Sequence, residues 1–279
     1  MKNLTKPFIK IGRVFYGIGI IAFGVQQILI RDFRPEILPP FPAWAHEYIL
    51  FPILTGILLI IIGIIITGLF QTKINTKKLC LYLGFYFLIL IILCHLPYTL
   101  IFSPNKASHL GVWAEALKEL AFCGGAFVMA GSFPSNDFSE NKMNAFELML
   151  EKIIPLGRIF FSTTMILYGC SHFVYTAYIS PLVPKWFGAA VFWTYFGGTA
   201  LIGSGIAIIL KIWIQPIAFL LAIMLFLWFI LLHVPNALAH PYSNNGNEVV
   251  SAFDALLFCG TALVIALTNN TKKLNRLKA

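Results

Sequence analysis

Apolar stretches long enough to cross a bilayer recur along the whole chain, and no soluble fold of 279 residues could hide so many of them. A spanning helix needs roughly 17–25 residues, and the spacing predicts such helices near 8–30, 48–70, 79–101, 113–131, 156–179, 189–210, 212–234 and 250–268. Turn-rich breaks separate them, among them Pro39-Pro40-Phe41-Pro42, Ser103-Pro104-Asn105 and Asn244-Asn245-Gly246-Asn247. Hydrophobic residues make up 59% of the chain and charged residues 11%. Soluble domains carry about 25% charged residues, so the charge available here could not cover a soluble surface. The fold class expected is an all-α integral membrane protein of eight transmembrane helices.

The net charge of +9 does not point to nucleic acid, because the basic residues sit in short clusters between apolar runs. That distribution is the signature of membrane orientation. Fifteen of the Lys and Arg residues fall on one side: the N-terminal segment through Arg13, the loop with Lys73, Lys77 and Lys78, the central segment through Arg158, Lys211, and the tail. Four fall on the other, namely Arg31, Arg34, Lys106 and Lys185, and Lys118 lies inside a helix. The asymmetry places both termini in the cytoplasm and the chain in a plasma membrane, in bacterial terms the inner membrane. Trp44, Tyr48, Trp113, Tyr178 and Trp186 then form an outer aromatic belt, with Trp213 on the inner side. The first apolar run continues to Ile30 without an Ala-x-Ala-like site and is read as a retained helix, not a signal peptide. Cys80, Cys94, Cys123, Cys170 and Cys259 form no Cys-x-x-Cys pair and read as buried free thiols.

The two halves echo each other. Gly-Arg-Val-Phe at 12–15 matches Gly-Arg-Ile-Phe at 157–160, and Phe23-Gly24 matches Tyr168-Gly169. Gly56 and Gly63 match Gly198 and Gly205. Leu93-Cys94-His95-Leu96-Pro97 matches Leu231-Leu232-His233-Val234-Pro235, and Phe122-Cys123-Gly124 matches Phe258-Cys259-Gly260. The matches are collinear, with offsets that shrink from 145 to 136. The expected organisation is a four-helix repeat over 1–131, a cytoplasmic linker over 132–152 with a short interfacial helix, and a second repeat over 153–279 with a basic tail. An even number of helices per unit makes the two units parallel.

These motifs resemble the DoxX-like family of small four-helix membrane proteins. The features that carry the resemblance are the Gly-Arg opening of the first helix and the Phe/Tyr-Gly pair before Gln27 or His172. The His-x-Pro ending the third helix and the small-residue fourth helix complete it. It covers nearly the whole chain, once per half, whereas family members are usually single units. The resemblance implies a component of a membrane redox system, binding a quinone or a similar small apolar molecule, with a membrane or periplasmic redox partner. A small-solute transporter or a non-catalytic binding and assembly protein is the alternative. No nucleotide-binding loop, nucleophile elbow or His-Glu-x-x-His motif occurs, and nothing in the sequence establishes turnover.

Ionisable groups are costly in hydrocarbon and usually face the interior of a bundle. Gln27, His95, Glu115, Lys118, Glu119, His172, His233 and Asp254 all fall toward the outer ends of their helices, so an outward-facing polar pocket is expected from them. His95 and His233 each precede a Pro and could hydrogen-bond carbonyls that the Pro leaves free. They could equally contact a ligand; a bis-histidine haem is not expected. His172, His233 and Asp254 are zinc-type ligands, but their spacing is not diagnostic and no metal is expected. Arg13 and Arg158 are cytoplasmic-face candidates, either snorkelling to lipid phosphates or making a buried pairing with the next helix or the linker. Thr199, Gly203 and Ala207 read as a small-residue packing ridge. Lys118 and Asp254 occupy equivalent positions with opposite charge and are expected to pair across the two halves, in competition with Glu115.

Overall fold

A computed structural model describes residues 2–70, 72–133 and 143–276. Among these residues all regular structure is helical, with no strand. The long elements are α1 (Lys2–Ile30), α2 (Leu50–Thr67), α3 (Thr76–Phe102), α4 (Ala114–Gly131), the short α5 (Ala145–Glu151), α6 (Ile154–Val174), α7 (Ala190–Leu210), α8 (Ile214–Ala239) and α9 (Asn247–Arg276). Six of them (α1, α2, α3, α7, α8 and α9) are long and apolar enough to cross a membrane, and a seventh is added if α5 and α6 count as one bent span. The protein is membrane-embedded. Its outer helices carry apolar side chains to the surface at helical spacing, as in Leu54, Ile57, Leu58 and Ile61 of α2 and Leu220, Ile223, Leu227 and Ile230 of α8. Exposed apolar faces of that extent suit lipid rather than water.

The His-x-Pro segments do not end their helices. In α3 the backbone widens into a π-helical turn over Ile91–His95 and continues past Pro97 to Phe102. In α8 the same happens over Phe229–His233, and the helix runs past Pro235 to Ala239. A π turn shifts the hydrogen-bond register by one residue, which accommodates a Pro that cannot donate.

Consecutive helices pack as antiparallel pairs through glycine. A methyl group on Gly56 would stand 2.7 Å from the carbonyl oxygen of Gly24, and one on Gly169 equally close to that of Gly198. These contacts seat α1 on α2 and α6 on α7. The ridge expected at Thr199, Gly203 and Ala207 does not pack in this way. Thr199 and Gly203 are exposed, and a methyl on Gly203 would meet nothing within 4 Å. The packed face of α7 is the one carrying Gly198 and Gly205, because those residues lie against α6.

The two halves join through α1 on α9, α6 on α4, and α4 beside α9. The last pair runs parallel with a constant register of 136: Lys118 meets Asp254, Phe122 meets Phe258, and Gly125 meets Thr261. An aromatic chain crosses the centre, with ring centroids 4.8 Å apart for Phe23–Phe122 and 6.1 Å apart for Phe122–Phe258 and Phe161–Phe258. Part of the linker expected over 132–152 lies outside the described residues. Its helix α5 begins with a capping box between Asn144 and Glu147. It is held to the start of α3 by Lys78–Glu147 at 2.8 Å, Tyr82 donating to Glu147 at 2.7 Å, and Lys77–Glu151.

Candidate functional site

The polar groups converge on the outer end of the α4–α9 seam, around one cation. The Lys118 ammonium lies 3.0 Å from Glu36, 3.1 Å from Glu115 and 3.5 Å from Asp254. The expected pair across the halves and its competitor on the same helix are therefore both present, and a third carboxylate joins them. The ammonium donates a hydrogen bond to Glu36 and stands within ion-pair reach of the other two carboxylates. Glu36 is also engaged by Arg34, whose Nε donates to it at 3.3 Å and whose Nη1 donates to the Asn245 carbonyl at 2.7 Å. Arg34 and Glu36 are buried, at 2% and 1% exposure.

Neither residue was singled out as a site residue by the sequence. Arg34 looked like an ordinary loop charge. The available signal was that the two charges flank Pro35 inside an apolar segment, Phe33 to Leu38, which is too hydrophobic for a solvated loop. In the structure this segment folds into the first half, burying Phe33, Ile37 and Leu38 as well.

The corresponding connection of the second half behaves differently. Tyr178 and Trp186 stay exposed, while Leu182, Pro184 and Phe187 form one wall of a cavity of about 830 Å³. Its body is apolar and aromatic, with Trp193, Phe196 and Trp228. Its polar end holds Lys118, Asp254, His172 and His233. The His172 ring stacks on Trp228 with centroids 5.9 Å apart, and its Nδ1 lies 2.8 Å from the Tyr168 carbonyl oxygen. The hydroxyl of Tyr168 donates to the Ala114 carbonyl at 2.9 Å.

Four of the eight candidate residues thus line this cavity. The other four do not. Glu115 stands beside Lys118 outside the lining. Gln27 is buried in the first half, donating to Thr55 at 3.1 Å. His95 is buried there too, beside the backbone of Ile37. Glu119 is also fully buried, and neither carboxyl oxygen has a hydrogen-bond partner among the described residues. The single pocket expected from all eight is divided because the Phe33–Leu38 segment fills the first half.

Arg13 and Arg158 serve helix ends. Arg13 donates to the Ser132 hydroxyl at 2.9 Å and to the Ser132 carbonyl at 2.5 Å, past the C-terminus of α4, with its guanidinium over the Phe133 ring. Arg158 donates to the carbonyls of Ile208 and Ile209 in the last turn of α7. Both neutralise orphan carbonyls at the negative end of a helix. The thiols of Cys123 and Cys259 donate to the carbonyls of Gly84 and Ala222, at 3.3 and 3.2 Å. All five cysteines are free. Among the described residues no group of His, Cys, Asp and Glu has metal-binding geometry.

Glu36 gives the site a measurable pH dependence. Burial pushes its carboxyl up, but Lys118 and Arg34 override this and hold it down at about 2. An unfolded Glu titrates near about 4.3, so the folded value is the lower one. The stabilisation is therefore present above the unfolded value and lost as pH falls toward the folded one. The thermal midpoint of the wild type is expected to drop as the pH is lowered from about 4 to about 2. Glu36→Gln should flatten that part of the profile, and an unchanged profile in the variant would contradict the assignment.

Searches for similar proteins matched no family model, no curated protein and no solved structure.

Proposed function

We propose that this protein is a membrane-embedded binding component that holds one small, largely apolar molecule in the cavity of its second half. The observation that carries the reading is the cavity itself: about 830 Å³, walled by aromatic and aliphatic side chains, with a few convergent polar groups at one end. Small-molecule sites have that size and that distribution of polarity.

The proposal includes eight transmembrane helices in two parallel DoxX-like units, with both termini cytoplasmic in a bacterial inner membrane. Several observations support it. α4 carries three ionisable residues in its first turns, which lowers its apolar character, yet it sits beside α9 with Lys118 held by Glu36 and Asp254. Equivalent positions meet along the α4–α9 seam, as they do near a twofold axis, and equivalent π turns precede Pro97 and Pro235. A role beside a redox partner, with a quinone as ligand, rests on the family resemblance alone.

The test is to purify the protein in lipid nanodiscs and identify bound small molecules by mass spectrometry. Ala200 lines the cavity, and Ala200→Trp places an indole in it without adding charge. The wild type is expected to retain a lipophilic molecule that the variant loses. The same retained molecules in both proteins would overturn the reading.

A further inference from the structure

Resting on the cavity reading, the chemistry of the polar end narrows what the cavity accepts. We propose that it takes an amphipathic cation, an ammonium or phosphonium-type charge on an apolar body, with Asp254 as the counter-ion.

The argument begins with charge. The groups facing Asp254 are Lys118 and Glu115 on α4, Glu36 and Arg34 on the α1–α2 connection, His233 on α8, and His172 and Tyr168 on α6. Three carboxyl groups share two permanent cations, so one of them has no cation to itself. Geometry says which. Glu36 has both Lys118 and Arg34, and Glu115 is 3.1 Å from Lys118 with a side chain 38% exposed. Asp254 lies farthest from Lys118, at 3.5 Å, and is 5% exposed. Neither of its carboxyl oxygens has a well-aligned hydrogen bond among the described residues, and it lines the cavity. An incompletely partnered buried carboxylate is costly, and a ligand cation would offset that cost.

A cation would meet Asp254 within a lining that includes the aromatic rings of Trp193 and Trp228, and aromatic rings attract positive charge through their quadrupole.

The test uses three bodies of similar shape: tetraphenylphosphonium, neutral triphenylphosphine oxide and anionic tetraphenylborate. Each is titrated into wild-type protein in nanodiscs while tryptophan fluorescence is read, with Ala200→Trp nanodiscs as the blank for lipid partitioning. The expected result is saturable binding of the phosphonium, at least about tenfold tighter than the other two. Asp254→Asn should remove that preference. Equal or tighter binding of the oxide or the borate would overturn the inference while leaving the cavity reading intact. No binding above the blank for any probe would overturn both. The comparison of probes on the wild type decides the matter even if Asp254→Asn does not fold.

Discussion

Lys118→Met is expected to destabilise the protein by about 3–5 kcal/mol, the usual cost of stripping a partner from buried charge. The reason is that one ammonium serves Glu36, Glu115 and Asp254 together. From the sequence alone, Lys118→Met with Asp254→Leu should recover much of the loss if the two residues pair across the halves, with Glu115 as the competing partner. The structure changes that expectation. Glu36 remains in the double variant with only Arg34, and Glu115 remains with no cation at short range. Recovery should therefore be small. Double-mutant cycles read by thermal unfolding in nanodiscs should rank the coupling energies. Glu36 should couple most strongly to Lys118, being the closest partner and 1% exposed. Glu115 should couple less than its distance suggests, because solvent screens a partly exposed pair. Full recovery in Lys118→Met/Asp254→Leu would show that the other two carboxylates do not share the cation.

Gly260→Val is expected to cost several kcal/mol, or to abolish accumulation of folded protein. A Cβ at Gly260 would stand 2.5 Å from the Gly12 carbonyl oxygen and 2.8 Å from the Tyr16 amide nitrogen. Both atoms are backbone, so no side-chain rotation relieves the clash, and α1 must move away from α9. Overpacking a core costs about 1–3 kcal/mol where side chains can adjust, and here they cannot. The same holds where α4 meets α6, with Gly124 at 2.5 Å from the Gly157 carbonyl. Gly203→Ala is the control. It sits in the same kind of small-residue sequence, has open space around it, and should change stability by about 1 kcal/mol or less. Equal tolerance at Gly260 and Gly203 would show that α1 and α9 are not in tight contact.

The sequence by itself determined the helices and their apolar character. Length and composition leave no other way to satisfy so much backbone in a chain with so few charges. It also located Lys118, Glu115 and Asp254, and it found the equivalence of Lys118 and Asp254, because a register of 136 is a property of the chain before it folds. The segment Phe33–Leu38 was beyond it. A connection and a plug have similar compositions, and only packing against α3 and α4 makes Glu36 a partner of Lys118 and Ile37 a neighbour of His95. That difference in one connection decided which half keeps a cavity. Gln27, His95 and Glu119 became buried core of the first half, while His172, His233 and Asp254 came to face open space in the second. Local pattern reports which side chains must leave lipid. Which of them then meet each other, and which are left facing a void, depends on distant segments competing for the same interior volume, and that competition is settled only when the helices are packed.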